Sequence, residues 1–410
     1  MALEFSKVYE QVQTMGRFLG HGYQSASNRL QHALELFFAH TELDPIHDRV
    51  RLVRESSVSG YRGAAPLPRP FSEIICGVGS AVAPPPEGTL LAVDGSQIYP
   101  DQHAPAPYYL INVGAFVYYH GVSRLPAQFS QPTLAYSPSA LQDKDGRAVN
   151  NQTINARRSL AEMQTLALWG WELRQEARPL VALHDGGLLK FFGGSDIADA
   201  VQIERDYMDA LERLHDAGAS LLGYLDRSRS TYVISLLHLM RLNEGDITDD
   251  NLKTNGDLEG LTDARLFEHV LDPGERSAIM VQNSPQNREY KDRKGADFEI
   301  AFFYLNVSET RAVPNIVRID LPLWVARDEL AVEEIQALVL AQCTIQGRKR
   351  YPYALTRADE LAYIRAGEKQ QLEQLIRIEM LNNHVIPEES NKLMSKDMAR
   401  DRKQQFRLRA

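Results

Sequence analysis

Cysteine is scarce in this sequence, which has only Cys76 and Cys343 among its 410 residues. The two lie far apart and neither belongs to a metal-type pair, so neither a disulfide framework nor a zinc site is expected. Long apolar runs are also missing: none approaches membrane-spanning length. Residues 1–10 carry charges in an amphipathic pattern instead of the apolar block of a signal peptide. We therefore expect a cytoplasmic protein with no membrane association.

Excess positive charge is lacking as well, because the formal net charge is −9. Any contact with nucleic acid must then come from local basic patches. No G-x-x-x-x-G-K-[ST] stretch is present, which excludes a P-loop motor in this chain. Low-complexity segments and solenoid-type repeats are not evident. The length suffices for one large domain or two ordinary ones.

The most informative stretch is 89–100, T-L-L-A-V-D-G-S-Q-I-Y-P. The apolar run 90–93 is typical of a strand buried on both faces, and we expect it to run into Asp94 and to break at Gly95 and Ser96. A carboxylate followed by glycine at a strand end stands at the sheet rim, where ligands and hard cations bind. The alternative is an ordinary Asp-Gly turn, one of the commonest turn dipeptides.

A second copy of this pattern occurs at 179–190, P-L-V-A-L-H-D-G-G-L-L-K, where an apolar run ends in Asp185 and glycine follows. Two buried strands that deliver carboxylates to one sheet edge would form a divalent metal site. Magnesium and manganese take such oxygen ligands and leave positions open for water and phosphate.

Four motifs in this order resemble those of the NurA nucleases: A-V-D-G-S at 92–96, L-H-D-G-G-L at 183–188, G-Y-L-D-R-S-R-S at 223–230 and R-Y-P-Y-A-L-T-R-A-D at 350–359. The resemblance implies an α/β fold, with an RNase H-like mixed β-sheet core flanked by helices, an N-terminal helical extension and insertions. It also implies a DNA endo/exonuclease that uses Mn²⁺ or Mg²⁺, two ions per active site. The resemblance further implies a homodimer and a HerA-type hexameric ATPase as partner. It also implies a role in DNA end resection or anti-phage defence.

The resemblance also implies a third, helical carboxylate, for which we choose Glu162, one turn after Arg158. The alternative is a solvated ion pair, with Glu172 and Glu176 as other candidates for the carboxylate. The expected catalytic set is Asp94, Glu162, Asp185, Tyr351 and Asp359, and all but the tyrosine are expected metal ligands.

Two members of this set carry open questions. Tyr351 is equally compatible with an aromatic anchor in the core. Asp359 stands where the family commonly has a histidine; an aspartate can bind a metal but cannot supply a neutral imidazole or a near-neutral proton shuttle. The departure leaves the details of the second metal open.

Two basic clusters are candidate contacts for the DNA backbone. One follows the strand expected at 220–225 and the other is a compact basic turn before Tyr351. Guanidinium forks and short hydroxyls suit phosphate oxygens, although solvated loops have the same composition. The residues are Arg227, Ser228, Arg229, Arg348, Lys349 and Arg350. The basic stretch within 283–295 is a weaker candidate.

We predict three regions: an N-terminal helical extension and linker (1–85), a nuclease domain (86–390) and a charged tail (391–410). Apolar periodicity predicts further elements. These are a helical segment at 4–39 broken at 16–22, a strand at 108–119 with a hairpin turn at 120–121, helices at 153–175, 197–217, 231–240 and 332–344, strands at 220–225, 278–282, 300–307 and 316–321, an acidic insertion at 243–265, and an exposed hairpin loop at 283–295.

Two other functions stay open at this point. The first is an inactive subunit that clamps DNA or acts as an adaptor of the ATPase, motivated by the missing histidine. The second is a phosphatase with Asp94 as nucleophile, which is disfavoured because Ser96 stands where such enzymes need a second aspartate.

Overall fold

The computed structural model describes residues 4–55, 61–143, 146–193, 196–290 and 297–385, and of 18–26 only the backbone. Its elements are α1 (Phe5–Ala39), α2 (Leu43–Glu55), β1 (Ala64–Pro66), β2 (Val78–Gly79), β3 (Gly88–Ile98), β4 (Tyr109–His120), β5 (Ala127–Ala135), α3 (Pro138–Leu141), α4 (Asn151–Glu172), β6 (Leu180–Asp185), α5 (Ala200–Asp216), β7 (Ser220–Leu225), α6 (Tyr232–Arg241), α7 (Asp263–Phe267), β8 (Arg276–Ser277), β9 (Met280–Gln282), α8 (Pro285–Glu289), β10 (Ile300–Asn306), β11 (Ile316–Pro322), α9 (Leu323–Ala326), α10 (Glu329–Ile345), α11 (Tyr353–Ala362) and α12 (Ala366–Asn382).

The chain forms two compact units. Unit 1 comprises Met1–Gly88, Ala177–Lys190 and Ala219–Tyr353, and unit 2 comprises Thr89–Glu176, Phe191–Gly218 and Ala354–Ala410. Unit 1 contains a mixed sheet with the strand order β1-β9-β10-β11-β7-β6. β6 and β7 run parallel, whereas β11 is antiparallel to both β7 and β10. β10 and β11 are buried along their whole length, and residues 300–305 of β10 form the continuous apolar run expected in the centre of a sheet.

Helices cover this sheet through one large apolar cluster. The second half of α1 contributes Leu30, Ala33 and Phe37, which pack with residues of α2, α6, α7 and β10. The expected break at 16–22 is wrong, because α1 is one continuous helix. An interior glycine costs only about 1 kcal/mol relative to alanine, which weakens a helix without ending it.

The segment expected to be an acidic insertion, 243–265, contributes to the same core. Leu258 and Leu261 are buried there. Asp263 is buried too, and its Oδ1 accepts hydrogen bonds of 3.0 Å from the backbone N–H groups of Val233 and Ile234. Burial raises the pKa of Asp263 to about 6. The carboxylate satisfies N–H groups at the start of α6, which otherwise lack helical partners.

Unit 2 contains the strands β3, β4 and β5 in that spatial order. β4 and β5 form the predicted antiparallel hairpin, whose turn contains Gly121 at φ 70°. The helices α4 and α5 belong to the same unit. Strands and helices together confirm the α/β fold class, with a mixed sheet flanked by helices.

Other predictions fare differently. The expected loop at 283–295 is wrong in part, because Ser284 caps the short helix α8 by accepting a hydrogen bond from the Asn287 N–H. The basic residues Lys291, Arg293 and Lys294 and the tail 391–410 lie outside the described residues, and the three-region division stays a prediction. Among the described residues, every helix is too short or too polar to cross a membrane.

Candidate active site

Asp94 lies within a strand instead of at its end. β3 continues to Ile98, so the predicted break at Gly95 and Ser96 is wrong. The preceding residues 90–93 are fully buried, whereas Asp94 is partly exposed. The Gly95 N–H donates a 2.8 Å hydrogen bond to Asp94 Oδ1. A partly exposed carboxylate therefore emerges from the middle of a buried strand.

Position 95 has no room for a side chain, because the helix α4 crosses β3 there. A Cβ at this position would overlap the Glu162 carboxylate and would lie 3.1 Å from Arg158 Cγ. Arg158 donates to the Gly95 carbonyl oxygen at 3.2 Å, and its Nε lies 3.3 Å from Glu162 Oε1. Glu162 is only 4% exposed, so it is not one half of a solvated pair. α4 thus places a buried carboxylate against the residue that follows Asp94.

The oxygen donors of unit 2 suit a hard divalent cation. Asp94 and Glu162 offer carboxylate oxygens, and Mg²⁺ is usually held by one or two carboxylates while water and substrate phosphate fill its other positions. Within the described ranges, no three His, Cys, Asp or Glu side chains form a ready-made metal cluster. The two carboxylates therefore fit an ion that takes its remaining ligands from solvent and substrate; the number of ions stays a prediction.

Asp359 is exposed on α11, which is held firmly against β3 and β4. The Ala362 carbonyl oxygen accepts hydrogen bonds from Ser96 Oγ at 2.5 Å and from Asn112 Nδ2 at 2.8 Å. Gly114 of β4 has no space for a side chain, because a Cβ would lie 2.5 Å from both Ala358 O and Ala362 N. These contacts fix the helix that carries Asp359 to the strand that carries Asp94.

In unit 1, Asp185 is the exposed last residue of the buried strand β6. Gly186 follows at φ +104°, a conformation that favours glycine, and its N–H donates to the Tyr224 carbonyl oxygen at 2.8 Å. Gly223 is also constrained, because a Cβ there would lie 2.5 Å from Gly186 O. The local geometry at Asp185 is therefore the predicted one, a strand that ends in a carboxylate and a glycine turn.

A buried ion pair that the sequence analysis missed lies beneath this turn. Arg318 and Asp320 of β11 are 5% and 1% exposed. Arg318 donates to both carboxylate oxygens of Asp320, at 2.8 and 3.1 Å. Asp320 Oδ2 also accepts the Leu188 N–H at 3.2 Å, just after the D-G-G turn. Burial alone would lower the pKa of Arg318, but Asp320 raises it above the usual value, so the guanidinium stays charged.

The same ion pair reaches the third motif. Arg318 Nη1 donates to Ser230 Oγ, and the hydroxyls of Ser228 and Ser230 lie 2.8 Å apart. Arg227 and Arg229 of this loop are exposed. The sequence signal for the missed pair was two opposite charges at alternate positions of an otherwise apolar strand, R-I-D, which places both on one face.

In and just before the fourth motif, some residues are exposed to solvent and others contact neighbouring side chains. Arg348 and Lys349 are exposed on a 3₁₀ turn. Arg350 instead donates to Thr344 Oγ1 at 3.1 Å. Tyr351 packs edge-on against Tyr224 with ring centroids 5.1 Å apart, the contact expected of an aromatic anchor. Its predicted catalytic role stays a prediction.

Comparison with known proteins identifies the family. The model of the NurA domain matches residues 88–364. Similar solved structures include the NurA nuclease from Sulfolobus solfataricus (14% identity, 92% of this chain and 98% of that chain, TM-score 0.47). Another NurA structure is 14% identical over 82% of this chain and 94% of that chain, with a TM-score of 0.37. The structure of human ENDOV is 14% identical over 70% of this chain and 86% of that chain, with a TM-score of 0.31. No curated protein sequence matches. Because the domain match spans more than half of the 410 residues, this chain belongs to the NurA family.

Proposed function

We propose that this chain is a divalent-metal-dependent DNA nuclease that hydrolyses phosphodiester bonds. The observation that carries the proposal is the buried Glu162 carboxylate against Gly95, directly beside Asp94. Burying a carboxylate is costly unless cations compensate its charge. Arg158 supplies one positive charge at 3.3 Å, and a divalent cation would supply more. This donor set supports metal-assisted phosphoryl chemistry on a polyanion.

Each residue of the proposed site has a role that follows from its surroundings. Asp94 and Glu162 of unit 2 are proposed to hold the Mn²⁺ or Mg²⁺ ions, and the role of Asp185 as a metal ligand stays a prediction. A bound cation supplies an activated water and stabilises charge at the scissile phosphate. Arg158 fixes the orientation of Glu162 through their ion pair. Asp359 is a proposed further ligand whose exposed carboxylate replaces the family histidine.

The exposed basic residues supply the proposed contacts with DNA. Arg227 and Arg229 of the third motif, and Arg348 and Lys349 just before the fourth, are exposed where phosphate oxygens can reach them. The ion pair of Arg227 with Asp226, at 3.7 Å, itself lies in solvent. Ser228 and Arg350 are already engaged with Ser230 and Thr344. We therefore propose that the first four residues carry most of the backbone affinity.

The proposal is tested by incubating the full chain with end-labelled single-stranded and duplex DNA in Mn²⁺, Mg²⁺ or EDTA, with and without a HerA-type ATPase. We expect cleavage with metal and none with EDTA. A parallel preparation from cells with an empty vector controls for contaminating nucleases. Cleavage that persists in EDTA would contradict the metal dependence.

The missing family histidine favours one alternative, a subunit that clamps DNA or acts as an adaptor. In that case no DNA is cleaved under any of these conditions, although the chain still binds DNA or the ATPase. Restoring the residue, Asp359→His, separates the two functions further. A gain of cleavage in this variant would show that the native chain lacks only the histidine.

We also propose a homodimer that works with a hexameric HerA-type ATPase in DNA end resection or defence. The support for the dimer is an apolar stripe on the first turns of α1, where Phe5, Val12 and Met15 are 60–67% exposed and Val8 lies between them. The spacing of these four residues is that of a and d positions in a coiled coil, which is self-complementary. A second copy of α1 would therefore cover the stripe.

Placing a charge in this stripe tests the dimer. We expect Val12→Glu to convert the dimer to a monomer, as measured by light scattering after size-exclusion chromatography, because the buried carboxylate would lack a partner. The control is Val201→Glu, at a valine on α5 that is 74% exposed. A native chain that is already monomeric, or a Val12→Glu variant that remains dimeric, argues against this interface.

A further inference from the structure

Unit 2 contains a cleft of about 670 Å³ for which the site described above gives no role. One wall is the end of β3 with the loop that follows it, residues 97–103. The other wall is the connection between α11 and α12, residues 363–369. The volume is typical of a pocket that encloses a single small ligand.

Both walls lead back to residues of the proposed active site. Gln97 lies three residues after Asp94 on the same strand, which corresponds to about 10 Å at 3.3 Å per residue. Tyr363 lies one turn after Asp359, because its N–H donates to the Asp359 carbonyl oxygen at 2.8 Å. Side chains four residues apart on a helix share one face. The cleft therefore lies about 10 Å from Asp94 along β3 and next to the end of the helix that carries Asp359.

The cleft combines an exposed aromatic ring with little net charge. The Tyr363 side chain is 63% exposed. Lys369 lies 3.4 Å from Asp101, which largely neutralises it. The His103 N–H and Lys369 lower the pKa of Asp101, so this carboxylate is ionised. Arg365 remains as an exposed positive charge at the rim.

Two polar atoms in the wall have unmet hydrogen-bonding capacity. Gln97 Oε1 and His103 Nδ1 are enclosed, and neither has a hydrogen-bond partner among the described residues. Enclosed polar atoms are normally paired, so the Gln97 and His103 side chains would gain a hydrogen bond by turning toward a polar occupant of the cleft. The edge of a nucleobase offers donors and acceptors of the required kind.

We propose that this cleft binds one unpaired nucleotide of the DNA strand that flanks the scissile phosphate, with its base stacked on Tyr363 and its phosphate near Arg365. The inference rests on the proposed nuclease function and adds the form of the substrate. Stacking on an exposed ring requires a base that is free of its partner strand, and it is tolerant of sequence because every base has a π face. The nuclease thus prefers DNA that is unpaired beside the cleavage position.

The test measures binding, so that its result does not depend on catalysis. Fluorescence anisotropy of a labelled oligothymidylate is recorded with the full chain in EDTA. We expect Tyr363→Ala to weaken binding about tenfold and Tyr363→Phe to retain it, because phenylalanine keeps the stacking surface. Tyr136→Ala, at a tyrosine of the same unit that is 71% exposed and lies outside the cleft, is the control and should bind as the native chain does.

Two further arms locate the nucleotide and separate stacking from charge. The loss of DNA affinity caused by Arg365→Gln should become smaller as the salt concentration rises, because it is electrostatic. The loss of affinity caused by Tyr363→Ala should persist. Abasic substitutions along the oligonucleotide should weaken native binding at one position, where Tyr363→Ala then has no added effect. The proposal is overturned if Tyr363→Ala and Tyr136→Ala weaken DNA binding equally. It is also overturned if no abasic position weakens binding by the native chain alone. Failure of the native chain to cleave DNA with any metal would instead count against the nuclease function.

Discussion

Replacing Glu162 with glutamine is expected to lower the rate of metal-dependent DNA cleavage by on the order of a thousandfold or more, the scale seen when one member of a catalytic set is removed. Glutamine has nearly the same shape, so α4 should still pack against Gly95. It cannot carry the negative charge that holds a divalent cation. Asp94→Asn should have an effect of similar size, because the two carboxylates are proposed to serve the same ions.

The control for this prediction lies on the same helix. Glu172 is exposed at the end of α4, and Glu172→Gln should cleave DNA at the native rate. Thermal unfolding of each variant separates loss of function from loss of fold, and the melting temperature of Glu162→Gln should stay within a few degrees of the native value. If Glu172→Gln loses activity and Glu162→Gln does not, the helical carboxylate has been assigned to the wrong residue.

The elements that the sequence predicts best are those whose burial is uniform. The strand predicted at 220–225 coincides with β7, and the strand at 108–119 differs from β4 by one residue at each end. Both are largely apolar, and β4 is also rich in β-branched and aromatic residues, so local composition and tertiary environment favour the same structure. The turn after Asp185 was also predictable, because glycine after a buried run can adopt the positive φ of a turn without steric cost.

Gly95 shows where local patterns fail. An Asp-Gly pair favours a turn, and this preference led to the wrong end for β3. The glycine is needed for a different reason, since the Glu162 carboxylate occupies the space of its side chain. That contact joins residues 67 positions apart, and no short-range pattern contains it. The Arg318–Asp320 pair does have a short-range signal, R-I-D, but its role depends on the register of β11 against β7.

The Arg318–Asp320 pair carries the largest expected effect on stability. Arg318→Met should lower the free energy of unfolding by about 3–5 kcal/mol, because it leaves Asp320 buried without its positive partner. Arg311→Met is the control: this arginine lies 3.0 Å from Asp272 but is 74% exposed, so its loss should cost less than about 1 kcal/mol. Urea unfolding followed by circular dichroism gives both values. If both variants lose the same free energy of unfolding, removing the partner of a buried carboxylate costs no more than removing that of an exposed one.

A double variant then separates stability from positioning. Arg318→Met with Asp320→Leu leaves no buried charge, so much of the lost stability should return, as it often does when a buried ion pair is replaced by apolar residues. The Leu188 N–H still loses its carboxylate acceptor, and Ser230 still loses its guanidinium donor. We therefore expect DNA cleavage to remain impaired, in kcat more than in KM, because the turn after Asp185 is no longer held. If stability and cleavage recover together, the pair supports the fold alone, and the position of Asp185 depends on the glycine turn and its bond to Tyr224.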